Sequence, residues 1–515
     1  MQGKVAGNVI WNWSGMGINM LAGFIVTPYL VARLGDGGYG LWIVIASMTG
    51  YFSLLDLGVR SSVGRYVAYH RARGEQDGVN AMLSTSIAIL LGVGLLVVAA
   101  TVAALPLFPH LFTIPPQQLT SAKWAIVIVG LNLAITFPLS VFDGTLWGFE
   151  RFDLMNAIEI PTAIIRAGLT FMLIHEPNDI STLAWLTFAT TAANETIKMI
   201  VCFRVNPGLS VERRFVQKAA AVKLYGYGIW QFLLSISRQI NGAIGPQVIG
   251  ALLGLAAVTP FSIASRLISY ASSFMVAATG VFTPVATAIC ARQDDARQRQ
   301  LFLIGGQWCA VMATYFAMLM LLLGAPFLKL WMGDHLAART PLLLTILTLG
   351  EWLPMSQWLT GSIILAMAKH KLSAIANLLE GVLAVAGMLM VMERFELVGV
   401  CIAFAVAALL CRGIFQLVYG CSLVRIPVRH YVFVAILKPL GAALLPTAIL
   451  TAALWAHSPS TWVELFVYGL GFSAVFGATS LWMLGLWKYL PLDRFRLPRT
   501  RIPEPSRVPE QVDIR

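Results

Sequence analysis

The chain has 515 residues, of which 58% are hydrophobic and only 12% charged, and its mean hydropathy is +0.76. That leaves too little polar surface to cover a soluble globule, so a polytopic membrane protein is expected. The formal charge of +12 raises nucleic acid as a partner, but the basic residues gather in alternate loops, so the charge is a matter of membrane topology and no nucleic acid is expected.

A membrane-spanning helix needs roughly 20 apolar residues. Fourteen such runs follow in chain order: about 8–33, 38–60, 79–107, 121–148, 156–175, 183–204, 224–252, 258–289, 301–326, 338–368, 373–392, 397–423, 433–456 and 463–488. The runs are continuous rather than alternating, which excludes a β-barrel. The first is too long for a signal-peptide core and is expected to be retained. Lys4, the 60–73 stretch, Arg151, the 204–223 stretch, the 292–299 stretch, Lys369, Lys371, Arg425, Arg429 and the C-terminal tail fall on one side. Only Arg33, Lys123, Lys329, Arg339 and Arg394 fall on the other. The positive-inside rule then puts both termini in the cytoplasm. The tail, 489–515, is rich in Pro and Arg and is expected to be disordered, with basic residues able to touch membrane lipids.

The six cysteines, at 202, 290, 309, 401, 411 and 421, lie in or beside these runs without a CxxC pair, and the seven histidines are not paired at ligand spacing. No metal site is expected. There is no GxxxxGK[ST] loop, so no nucleotide cofactor is expected. No catalytic residues are assigned, because no sizeable loop carries a carboxylate or His/Glu cluster.

A shift of about 219 residues makes the two halves match. Leu34-Gly35 meets Leu253-Gly254, Tyr51 meets Tyr270, and Ala72-Arg73 meets Ala291-Arg292. The offset spans six helices, an even number, so the repeats run parallel. The expected organisation is an N-terminal lobe at 1–204, a basic cytoplasmic linker at 205–223, a C-terminal lobe at 224–423 and two accessory helices at 424–488. Transporters built from parallel repeats hold substrate near the midplane, between the halves.

Six basic residues fall inside the runs, and a charge at the bilayer centre costs about 2.5–3.5 kcal/mol on insertion scales. Such charges face a partner or a wet cavity. Arg166 has Glu159 two turns away as a candidate partner. Lys198 has Glu195 at i−3, and Arg412 has Glu380 on the neighbouring helix. Arg238 and Arg266 have neither, since no Asp or Glu occurs from 224 to 289. Lys438, close to a helix start, is expected to snorkel. Among the acids, Glu351, Glu159, Asp56 and Glu380 are candidates for ion coupling, with H+ or Na+ as the coupling ion.

The motifs "TPYL" (27–30), "YGLW" (39–42), "LLDLGVR" (54–60), "WGFERFDLMN" (147–156) and "SIASRL" (262–267) carry a resemblance. With them the chain resembles the polysaccharide transporter family, the O-antigen or oligosaccharide-unit flippases. These belong to the superfamily that also holds multidrug extruders and the lipid II flippase. The resemblance implies two six-helix lobes in a V around a central cationic cavity, in a bacterial inner membrane. It implies translocation of an undecaprenyl-pyrophosphate-linked oligosaccharide, with polysaccharide polymerase and glycosyltransferases as partners. Arg238, Arg266, Arg166, Arg412, Lys198 and Asn241 are then the candidate substrate-binding residues, since guanidinium forks suit pyrophosphate oxygens. Relatives often have an acid near the position of Asn241, and its amide departs from that pattern. A multidrug extruder or a lipid II flippase is the alternative within the same fold.

Overall fold

A left-handed glycine breaks the first long helix. In this computed structural model α1 (Gln2–Phe52) contains the first expected span and most of the second, and Gly35, at φ 69° and ψ 171°, separates them. The structure describes residues 2–56, 58–176, 179–280, 282–369 and 371–485, without the side chains of 2–12, 52–53, 56, 60–61, 227–243 and 284. After α1 come α2 (Val59–Ala72), α3 (Gln76–Ala104), α4 (Phe108–Leu111), α5 (Pro116–Gly148), α6 (Phe152–Leu173) and α7 (Ile180–Val205). The second half begins with α8 (Lys218–Leu252), α9 (Leu255–Gly280), α10 (Phe282–Ala291), α11 (Asp295–Met332) and α12 (Asp334–Ala337). It continues with α13 (Thr340–Ser356), α14 (Trp358–Ala366), α15 (Lys371–Ala408), a π-helical stretch at Leu409–Phe415, and α16 (Gln416–Val424). Finally come α17 (Val428–Tyr431), α18 (Lys438–Ala456) and α19 (Trp462–Leu484). No strand occurs among the described residues.

Each of the fourteen expected spans overlaps helix, but among the described residues eight helical stretches are long and apolar enough to cross a membrane on those grounds alone. Two of the eight, Trp13–Tyr51 and Lys371–Val424, cover all or most of two expected spans each. The helices that miss the threshold include α6 and α7, which carry Glu159, Arg166, Glu195 and Lys198. The stretch expected as a loop from 60 onward is instead α2. Gly58, at φ 78°, turns the chain, and Val59, Val63 and Val67 then bury one stripe at i, i+4, i+8 spacing.

The repeat extends through the whole of both lobes. With the same offset, left-handed Gly35 falls on left-handed Gly254. The end of α2 at Ala72 falls on the end of α10 at Ala291, and the start of α3 at Gln76 on that of α11 at Asp295. The start of α6 at Phe152 falls on that of α15 at Lys371, and the end of α7 at Val205 on that of α16 at Val424. Duplicated punctuation gives duplicated helices.

The cores show how the repeats meet. Away from the basic face, Leu34, Tyr39 and Val44 of α1 and Ile180 of α7 share one core with Leu255 and Val258 of α9 and Leu343 of α13. Toward the basic face the apolar residues part into two cores. One holds Val63, Leu83, Val141 and Cys202 of the first repeat. The other holds Met275, Phe302, Leu359 and Cys421 of the second. The repeats therefore share one core at one end, whereas toward the basic end each keeps a core of its own.

Further contacts tie the shared end. Thr259 Oγ1 donates to the Asp36 carbonyl at 2.7 Å, and Trp331 Nε1 to the Phe24 carbonyl at 2.8 Å. The Phe24 and Trp331 rings stack 4.7 Å apart. At Gly40 a Cβ would overlap the Leu255 carbonyl oxygen, whereas at Gly37 it would meet nothing within 4 Å. Gly40→Ala should lower the unfolding temperature in detergent, and Gly37→Ala should leave it near wild type. Equal behaviour of the two would mean that α1 and α9 do not pack this closely.

The stretch after α7 is an ordered strap along α3. Asn80 Nδ2 donates to the Gly208 carbonyl at 3.1 Å, and its Oδ1 accepts from Ser210 N at 3.0 Å. Thr85 Oγ1 accepts from Gln217 N at 3.1 Å. Ala220 and Leu224, at the start of α8, lie in the first repeat's core, and Ile249 near its end lies in the shared core. Helix α8 thus begins against the first repeat and ends against both.

Candidate functional site

Arg412 sits in the π-helical stretch, a geometry frequent at functional sites. Its Nε donates to both oxygens of Glu380, at 2.8 Å each. Its Nη1 and Nη2 donate to Glu351 at 3.1 and 2.5 Å. Glu380 comes from α15. Glu351 comes from α13, three residues before Pro354, and the helix breaks at Gln357 just beyond. The Glu380 side chain is 5% exposed and that of Glu351 19%. Arg412 was expected either to line the cavity freely or to pair with Glu380. It pairs with both Glu380 and Glu351, and so arrives at the cavity wall already neutralised.

Lys198 on α7 is the first repeat's counterpart. Its Nζ lies 2.8 Å from Asp143 on α5, 2.8 Å from Glu159 on α6 and 3.6 Å from Glu195 one turn back. Its side chain is buried. Pairing with Glu195 was anticipated; Asp143 and Glu159 were not. The same logic operates in both halves: the last helix of a repeat supplies a cation, and the two helices before it supply carboxylates. The positions are not equivalent, because the offset places Lys198 on Leu417 and Arg412 on Ala193. A buried cation with several carboxylates holds three helices together, since removing one partner leaves an uncompensated charge.

Arg266 differs. Among the described residues no carboxylate pairs with it. It projects from α9 toward α1, where a Cβ on Gly23 would lie 3.5 Å from its Nη1 and 2.8 Å from the Tyr270 hydroxyl. It lines a cavity of about 480 Å³ together with Glu351, Glu380 and Arg412. Arg166, on α6, is exposed and makes no ion pair among the described residues, because its candidate partner Glu159 is taken by Lys198. The side chains of Arg238, Asn241 and Asp56 lie outside the described residues.

Sequence reasoning singled out Arg266 but missed the polar residues that share its face and line the same cavity, Ser262, Ser265, Ser269 and Tyr270. Their signal was available as i, i+3, i+4 spacing of polar residues on an apolar helix.

Comparisons with known proteins agree with this architecture. Residues 5–290 match the family model described as polysaccharide biosynthesis protein. The chain is 22% identical over 489 residues to the "Uncharacterized membrane protein EpsK" of Bacillus subtilis, covering 92% of this chain and 94% of that one. It is 19% identical to the "Putative O-antigen transporter" of Shigella flexneri, covering 80% of this chain and 97% of the other. Among solved structures, lipid II flippase MurJ in an inward closed conformation superposes with a TM-score of 0.67 at 15% identity, over 94% of this chain and 99% of that one. An inward-facing multidrug resistance MATE family transporter superposes with 0.65 at 14% identity, over 79% and 94%. The all-helical fold is theirs. With a family model matched over more than half its length and apolar helices throughout, the chain is a multi-pass membrane protein that belongs to the polysaccharide biosynthesis protein family.

Proposed function

We propose that the chain is a flippase that moves an undecaprenyl-pyrophosphate-linked oligosaccharide from the cytoplasmic to the periplasmic leaflet of a bacterial inner membrane. It acts as a transporter rather than an enzyme. It crosses the membrane fourteen times with both termini cytoplasmic, and its lobes, 1–204 and 224–423, alternate access to a site between them.

The observation that carries the reading is Arg266. A guanidinium on an apolar helix, without a carboxylate partner among the described residues, lines a cavity large enough for a small ligand. An anionic head group supplies the missing counter-charge, and a low-dielectric cavity strengthens the attraction. A cation extruder of the same fold would need open acids. Here Glu351, Glu380, Asp143 and Glu159 are engaged by Arg412 or Lys198. Those same carboxylates are the groups through which H+ or Na+ entry would shift the lobes, by competing with the bound cation. Polysaccharide polymerase and glycosyltransferases would supply and consume the glycan.

In a strain lacking its own transporter, this chain should restore surface glycan. Accumulation of lipid-linked intermediate without surface glycan would overturn the reading. In membrane vesicles, translocation should continue without nucleotide and stop when proton and sodium gradients are both collapsed. Continued net transport after full collapse would rule out gradient coupling.

A further inference from the structure

The cavity lined by the second repeat and by Ile43 of α1, at about 480 Å³, falls within the range of small-ligand pockets, roughly 300–1,000 Å³. Its walls differ in chemistry. One is a face of α9, where Ser262, Ser265, Arg266 and Ser269 follow at helical spacing. Another part of the lining is Glu351, Glu380 and Arg412, two carboxylates and one guanidinium, a cluster with a net charge of minus one. The Arg412 Nε and both Nη atoms are already committed to the two acids. The carboxylate oxygens still have lone pairs to offer.

Ser262 adds an independent observation. It is only 9% exposed, and its Oγ is buried without a hydrogen-bond partner. An unpaired buried hydroxyl is costly, and a group entering the cavity satisfies it.

We propose that this cavity reads the sugar attached to the pyrophosphate, accepting a neutral or N-acetylated hexose and rejecting an acidic one. The inference rests on the lipid-linked oligosaccharide reading above. The phosphate end lies toward Arg266. Sugar hydroxyls donate to Glu351 and Glu380, and Ser262 and Ser265 hydrogen-bond the ring substituents. A uronate would bring a third carboxylate against a wall that is already negative, in a medium where like charges repel strongly.

The test uses the purified full chain in lipid nanodiscs and titration calorimetry with three probes: glucose 1-phosphate, N-acetylglucosamine 1-phosphate and glucuronic acid 1-phosphate. The first two should bind at least about tenfold more tightly than the third. Glu351→Gln removes one charge without changing shape, and should narrow that gap to about threefold or less. Ser262→Ala should weaken the neutral probes about fivefold, while the unfolding temperature without ligand stays level or rises, because an unsatisfied hydroxyl has been removed. Equal affinity for all three probes overturns the proposal, as does a Ser262→Ala variant that binds normally. Failure of discrimination with glycan export intact sinks the pocket alone. A wild-type chain that cannot restore surface glycan sinks the flippase reading itself.

Discussion

Arg266→Glu should abolish surface glycan in a strain that depends on this chain, and Arg266→Ala should reduce it by about ten- to a hundredfold. A hydrogen bond to a charged group contributes about 1.5–3 kcal/mol, and each 1.4 kcal/mol is tenfold. Glutamate does more than remove that bond, because it places a like charge where the pyrophosphate would sit. Arg266→Lys keeps the charge but loses the planar fork, so it should be partly active. The measurement is surface glycan normalised to membrane-inserted protein. Arg266 makes no ion pair among the described residues, so replacing it leaves no acid stranded, and protein levels should hold. If the Glu variant exports as well as wild type, Arg266 does not bind the anion. Arg166→Ala, in an exposed residue of the other repeat, should give a smaller loss.

Arg412→Ala should fail in the opposite way, through the fold. Glu351 and Glu380 would face each other at partly buried sites with no cation between them. Breaking a buried ion pair by removing one partner costs about 3–5 kcal/mol. That is a large fraction of the usual margin of roughly 5–15 kcal/mol. The expected result is little monodisperse protein on detergent extraction. Adding Glu351→Gln and Glu380→Gln to Arg412→Ala should recover much of it, because the stranded charges are gone. If Arg412→Ala extracts normally and loses only export, Arg412 is a substrate ligand and not the clasp of α13, α15 and the π-helical stretch.

These two arginines show how far the sequence reaches. Composition and continuous apolar runs alone determined an all-helical membrane chain, since water-free surroundings leave few ways to satisfy the backbone. The offset between Gly35 and Gly254 located the duplication, because a left-handed backbone position needs a residue without a Cβ and so leaves a mark in the letters. The same letters placed Arg166, Lys198, Arg266 and Arg412 at depth, where a charge must find a partner or a cavity.

What they did not contain was which partner. Helical spacing specifies neighbours at i±3 and i±4 on one helix, and that found Glu195 for Lys198. It also suggested Glu159 for Arg166, yet Glu159 turns to Lys198, 39 residues away. Asp143 reaches the same lysine across 55 residues, and Glu351 reaches Arg412 across 61. Periodicity states which face of a helix is polar, but not which other helix that face meets. Ridge-into-groove packing of whole helices decides that, and it depends on every side chain along the contact. The tertiary structure therefore settled that Arg412 and Lys198 are clasped by acids while Arg266 is left facing the cavity. Membership in the membrane class and the plan of two repeats needed only the order of residues along the chain.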